Sequence, residues 1–170
     1  MEPEEVLRHL HTPADHLAPA ADPSTGEDVL RGLARSPYPF VWQALAANPS
    51  TPPDVLGRLR SQRDSVWNDN LLLARIAGHP RADRAVLLGL LDELGDRLSA
   101  GDRPFAAVLA LAERAELTRD EVLSLAGLPG ASARLRRGIR SRLARRESGF
   151  PASPGWDVRE DAAAGDGSCR

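Results

Sequence analysis

The sequence predicts an all-α solenoid of short helices, and three observations predict it. Asp22-Pro23-Ser24-Thr25-Gly26-Glu27-Asp28-Val29-Leu30 is answered 26 residues later by Asn48-Pro49-Ser50-Thr51-Pro52-Pro53-Asp54-Val55-Leu56, and His79-Pro80 with Val86-Leu87 returns in phase 31 residues on. A period between about 20 and 50 residues marks stacked units that bury their apolar faces only against one another. The units that begin at Asp22 and Asn48 are also punctuated by an X-Pro corner and a Thr followed three residues later by an acid. Finally, Val29, Leu30 and Leu33 match Val55, Leu56 and Leu59, and then Val86, Leu87 and Leu90, always at i, i+1 and i+4. That spacing places each triple on one helical stripe facing the core.

Thr12, Thr25, Thr51 and Thr118 each precede Asp15, Asp28, Asp54 and Glu121 by three positions, the pattern of a capping box. The hydroxyl accepts from an orphan N–H of the first turn, while the acid reaches back and complements the helix dipole. Four helix starts are expected there, with Pro13 and Pro52 at the first helical position, where a missing N–H costs nothing. Pro23, Pro49 and Pro80 push Asp22, Asn48 and His79 out of the α region, so the helix before each corner must stop. In the first helices, Phe40, Val41, Trp42 and Leu45 align with Leu71, Leu72, Leu73 and Ile76, which reads Trp42 as core. The third unit lacks the Thr, leaving Asp83 as substitute cap, and its second helix runs long through Leu87, Leu90, Leu91, Leu94 and Leu98 to Gly101. In the fourth unit Glu116 stands where the others have proline, so its corner is remodelled.

Composition fits this reading. Apolar residues make up 42% of the 170-residue chain and charged residues 27%, the balance of a globular protein. No apolar run approaches the ~18 residues of a membrane span, and the acidic start Met1-Glu2-Pro3-Glu4-Glu5 is unlike a secretory signal, so a cytoplasmic location is expected. All 22 basic residues are arginine. Residues 1–133 carry 19 acids against 13 arginines, residues 134–146 carry seven arginines and no acid, and residues 147–170 carry five acids and two arginines. The segments are therefore −6, +7 and −3, and they divide the chain into a repeat array, an arginine-rich helix closing it, and a Gly-, Pro- and Ser-rich tail expected to be disordered.

Ala46-Ala47-Asn48-Pro49-Ser50-Thr51-Pro52-Pro53-Asp54-Val55-Leu56-Gly57-Arg58-Leu59 resembles a unit of the leucine-rich repeat variant family, with its Ala-x-Asn-Pro-x-Thr-Pro-x-x-x-Leu-x-x-Leu pattern. Asp22 to Ala34 is a second match and His79 to Leu90 a looser one. The resemblance, covering roughly residues 10 to 100, implies a right-handed superhelix of alternating α and 3₁₀ helices, and it implies no reaction. A described member of the family holds an iron–sulphur cluster through cysteines preceding its repeats. Here the only cysteine is Cys169, so no cofactor is expected.

Catalytic chemistry has little to stand on. His9, His11, Asp15 and His16 crowd the N-terminus, but their spacing departs from that of metallo-hydrolases and Asp15 is claimed by a cap, so no metal is assigned. No nucleophile elbow or phosphate-cradling glycine string occurs. Adjacent acids such as Asp92-Glu93 point apart on a helix. The expectation is a chain that is not an enzyme.

Two segments are candidates for contact. Ser65-Val66-Trp67-Asn68-Asp69-Asn70 interrupts the period by about five residues, and insertions map to loops on one face of an array, often the binding face. Trp67, Asn68 and Asp69, with Arg58, Arg63 and Arg75 near them in sequence, form a recognition patch, or else a loop whose Trp folds onto the core and whose Asn or Asp caps the next helix. The arginine-rich helix has Ala131, Leu135, Ile139 and Leu143 at spacing four, leaving Arg136, Arg137 and Arg140 for a nucleic acid or another acidic partner, or simply for water. Together these features, with the right-handed superhelix that the resemblance implies, predict a right-handed α-solenoid acting as a protein-interaction scaffold for an unspecified protein partner, with a HEAT-like nucleic-acid-binding module through residues 134–146 as the alternative.

Overall fold

Apolar stripes at helical spacing with no alternating strand pattern make helices, and the computed structural model, which describes residues 12–148, is all helical there. A 3₁₀ turn, Pro13–His16, leads into nine α-helices: α1 Leu17–Ala21, α2 Glu27–Leu33, α3 Pro39–Ala47, α4 Pro53–Leu59, α5 Val66–Gly78, α6 Arg84–Ser99, α7 Phe105–Leu111, α8 Arg119–Ala126 and α9 Ala133–Glu147. The odd helices pack in one row, α1 on α3, α3 on α5, α5 on α7 and α7 on α9, while α4, α6 and α8 pack in a second row facing it. Each early odd helix rests on the even helix that follows. This is the two-layer stack of a helical repeat.

The repeated leucines occupy equivalent inward positions between the layers. Leu30, Leu56 and Leu87 are all 0% exposed, and Leu33, Leu59 and Leu90, one turn later, are equally buried. Trp42 is buried too, its indole N–H donating to Ser36 O at 2.7 Å, which satisfies the one polar atom it brings inside. At the far end, α9 buries Leu135, Ile139 and Leu143 against α7 and α8. Gly138 lets it approach closely, since a Cβ there would lie 2.8 Å from Leu109 Cδ2.

The helix starts correct the sequence reading at two of four positions. Thr12 and Thr118 form full capping boxes with Asp15 and Glu121, and Asp83 caps α6 as expected. Glu121 is held down to about 2 by Arg84 and by the N–H of Thr118. Thr25 and Thr51 do not cap. The extended N-cap position falls one residue later, on Gly26 and Pro52, so Pro53 rather than Pro52 opens α4. The fully buried Thr51 hydroxyl donates back to Leu45 O at 2.7 Å, tying the corner to the helix before it. The alternation of α and 3₁₀ helices implied by the resemblance is also absent among the described residues: α2 and α4 are seven-residue α-helices, and the 3₁₀ turn lies only at Pro13–His16.

The corners carry the polar architecture. Asp22, Asn48 and His79 are all extended, with ψ of 116°, 115° and 133°, as a residue before proline must be. Each side chain accepts from the N–H two residues on: Ser24 to Asp22 at 2.8 Å, Ser50 to Asn48 at 3.0 Å, Arg81 to His79 Nδ1 at 3.1 Å. Each later one also reaches back one unit. Asn48 Nδ2 donates to Asp22 O at 2.9 Å and Ala20 O at 3.0 Å, and His79 Nε2 lies 2.8 Å from Asn48 O. Because Nδ1 accepts from Arg81, the network assigns the proton to Nε2 and the ring is neutral. Burial holds its pKa below the ordinary imidazole value, reinforced by Arg81 and Arg114 and opposed by the bond to Asn48. In the remodelled fourth corner Arg114 takes over, donating to His79 O at 2.6 Å and Ala82 O at 2.9 Å, and Arg146 in turn donates to Arg114 O. A continuous column of side-chain-to-carbonyl bonds thus links every unit from Asp22 to α9, and it keeps buried backbone carbonyls satisfied where helices end.

Candidate functional site: an apolar groove across the odd helices

With Val41, Trp42, Leu45 and Ala46 of α3 facing inward, Phe40, Gln43, Ala44 and Ala47 are left on the opposite side. On α5, Leu72, Leu73, Ile76 and Ala77 face inward, so Trp67, Leu71 and Arg75, spaced by four, line up outside. These two outer faces and Leu17 of α1 border a shallow groove. Its apolar side chains are unusually open to water: Trp67 is 73% exposed, Leu17 43% and Phe40 41%, with Val66 also exposed at the start of α5. Exposed aromatics grouped in a concave surface mark a contact site more than scattered exposed apolar residues do.

The groove is held open by bonds beneath it. Tyr38 stacks on Phe40 with ring centroids 5.5 Å apart, and His16 meets Tyr38 edge-on at 5.7 Å. Gln43 bridges the two helices, its Nε2 donating to Asn68 O at 2.8 Å, while Arg75 donates to Gln43 O at 2.9 Å and Gln43 Oε1 at 3.0 Å. Asn68 is fixed by its own N–H on the cap Ser65 and by its side chain on Asp64. None of the lining residues is a carboxylate, imidazole, thiol or hydroxyl. The surface offers apolar area with an amide and guanidinium rim, suited to holding a partner's side chains.

Of the residues expected to form a patch, Trp67, Asn68 and Arg75 come together here. Asp69 does not: it is 9% exposed, accepts from Asp64 N at 2.9 Å and pairs with Arg97 at 3.5 Å. Arg63 turns toward Glu93 at 2.7 Å, and Arg58 is exposed on α4, in the other layer. The inserted segment is the first turns of α5, capped by Ser65, rather than a loop, and Trp67 points out instead of folding onto the core. On α9, Arg136 donates to Ala131 O at 2.8 Å, and Arg137 and Arg140 are exposed. Arg60 donates to Gly89 O, so Arg60, Arg63 and Arg75 point to different partners, and α7 stands between α5 and α9. They do not converge with the arginine-rich helix.

Leu17 and Gln43 were not singled out by the sequence, and Phe40 and Leu71, aligned there with the core positions of the first helices, face the groove instead. The signal for Phe40 was present: three successive apolar residues cannot all face inward on one helix, and Val41, Trp42 and Leu45 already define the inward stripe.

The architecture places the chain in the class of α-helical repeat proteins. Within it, residues 14–72 match the family model of the Leucine Rich Repeat Variant domain, a stretch that runs from the 3₁₀ turn into α5 and contains most of the groove. No curated protein and no solved structure matches the chain. Among the described residues, no helix is long and apolar enough to cross a membrane, and no group of three or more His, Cys, Asp or Glu is placed to hold a metal ion. His9, His11 and Cys169, and the tail expected to be disordered, lie outside the described residues.

Proposed function

We propose that the chain is a non-catalytic, cytoplasmic protein-interaction scaffold whose contact face is the groove of α1, α3 and α5, and that its occupant is a partner segment anchored by apolar side chains. The observation that carries this reading is Trp67, 73% exposed between Phe40 and Leu71 although it belongs to a helix packed on both sides. An exposed indole beside a second aromatic supplies the desolvated anchor that typically dominates binding energy, and the Gln43–Arg75–Asn68 lattice presets its position. Affinity capture from the native cell with the intact chain and with Trp67→Ala and Phe40→Ala tests it. A bound protein retained at full strength by both variants would refute the assignment of the face.

A second reading has one observation in its favour: Arg134, Arg137 and Arg140 lie exposed on α9 and meet no carboxylate among the described residues. Three such arginines could meet phosphates of a nucleic acid. A filter-binding titration on duplex DNA decides it, because about three phosphate contacts require affinity to fall with salt at a slope near −3; salt-independent or absent binding removes this reading.

A further inference from the structure

We propose that the cationic outer face of α9 is covered by the acidic segment Asp157–Asp161 of the same chain. Most arginines of the array are already engaged: Arg31 with Asp54, Arg63 with Glu93, Arg84 with Glu121 and Arg97 with Glu93 are examples. On α9 the division is sharp. The arginines bordering the buried stripe are used, Arg142 lying 2.9 Å from Glu113 and Arg146 donating to Arg114 O. Arg134, Arg137 and Arg140 lie on the opposite side, at i, i+3 and i+6, and share no acceptor with the body. No acid occurs between Ser132 and Arg146 to neutralise them.

The chain that continues from α9 supplies what is missing. Asp157, Glu160 and Asp161 follow Ser148 by nine to thirteen residues, with Arg159 the sole base among them. Arg137 lies eleven residues before Ser148, about 16 Å along the helix axis at 1.5 Å per residue. A nine-residue connection spans about 16 Å as a coil and at most about 30 Å when extended. The acids therefore reach the free arginines without strain, and tethering raises their effective concentration to about the millimolar range. The body offers the tail no comparable site, because residues 1–133 are net −6 and repel it. The same negative body disfavours a long polyanion across α9, which is why the short segment is the better fit. This cover is independent of the groove on α1, α3 and α5.

The test uses the full chain. Cys169 is the only cysteine, so Cys169→Ser with Ala162→Cys moves one nitroxide label beside Asp161. At low salt, amide resonances of residues 134–140 are expected to lose intensity by at least twofold relative to those of α3. The loss should vanish in 0.5 M salt, with Asp157→Asn, Glu160→Gln and Asp161→Asn together, and with Arg134→Gln, Arg137→Gln and Arg140→Gln together. Helix content by circular dichroism verifies that each variant is folded. Unbroadened α9 resonances at low salt overturn the proposal, and so does broadening that persists when either set of charges is neutralised.

Discussion

Asn48→Asp exchanges one NH₂ for an oxygen and asks whether the corner column holds neighbouring units together. In the native corner the Asn48 amide donates to Ala20 O at 3.0 Å and Asp22 O at 2.9 Å, and its oxygen accepts from Ser50 N at 3.0 Å. A carboxylate retains the last bond and turns toward the two carbonyls an atom that can only repel them. Two lost bonds at about 1 kcal/mol each, plus about 1 to 3 kcal/mol for the Ala20 carbonyl left unsatisfied beside Asn48, itself only 2% exposed, give a loss of about 3 to 5 kcal/mol. At about 2 to 4 °C per kcal/mol for a chain of this length, the melting temperature should fall by about 6 to 20 °C at pH 7. Acid should narrow the gap. Once protonated, the introduced carboxyl regains one donor, so its folded pKa lies above its unfolded value, and the penalty shrinks as pH falls through that folded value. Thermal melts followed by circular dichroism at pH 7 and pH 5 measure both effects. A variant within 0.5 kcal/mol of wild type at pH 7 would refute the reasoning that these bonds stabilise the stack.

Leu56→Ala should cost about 2 to 5 kcal/mol, since the side chain is 0% exposed between the layers, and an unchanged urea midpoint would refute the core assignment. Trp67→Ala should change stability by less than about 0.5 kcal/mol while abolishing partner capture, because its ring is open to solvent; a large drop in melting temperature would mean that the ring supports the fold. The neutral His79 ring, its pKa lowered by burial, contributes stability that is complete above the ordinary value of 6.5 and lost as pH falls through it toward the folded value. Wild type should therefore lose more melting temperature between pH 7 and 5 than His79→Asn, and parallel curves would contradict the neutral-ring network. Gly138→Leu should lift α9 from Leu109 and accelerate amide exchange in residues 135–143, whereas unchanged protection would show that the close approach is not needed.

The core was legible because the leucine triples recur in phase and a helix has only one inward stripe. The corners were legible only in part. A proline announces where a helix stops, but not that Asn48 bonds to a carbonyl 26 residues earlier or that Arg114 replaces the missing proline motif 35 residues after His79. Thr25 and Thr51 illustrate a related ambiguity: a Thr followed by an acid three positions later cannot tell which of two adjacent extended residues becomes the N-cap, and here Gly26 and Pro52 take the role. Asp69 was misplaced for a simpler reason. Once residues 65–70 are read as helix rather than loop, its phase sets it beside Leu72 and Leu73, where the bond from Asp64 N and pairing with Arg97 make burial of a carboxylate tolerable. The groove was half visible, through Trp67, Asn68 and Arg75, because helical phase on α5 could be argued only after its start was known.

The column of corner ties is built from different chemistries: an amide at Asn48, an imidazole at His79, a guanidinium at Arg114 and another at Arg146. These side chains differ in length and in the number of carbonyls they can reach. The modules are consequently not interchangeable bricks. A chimera that deletes one of them or transposes two must carry along the tie matched to the seam it creates, or the join will lack its cross-unit bond however well the leucines interlock.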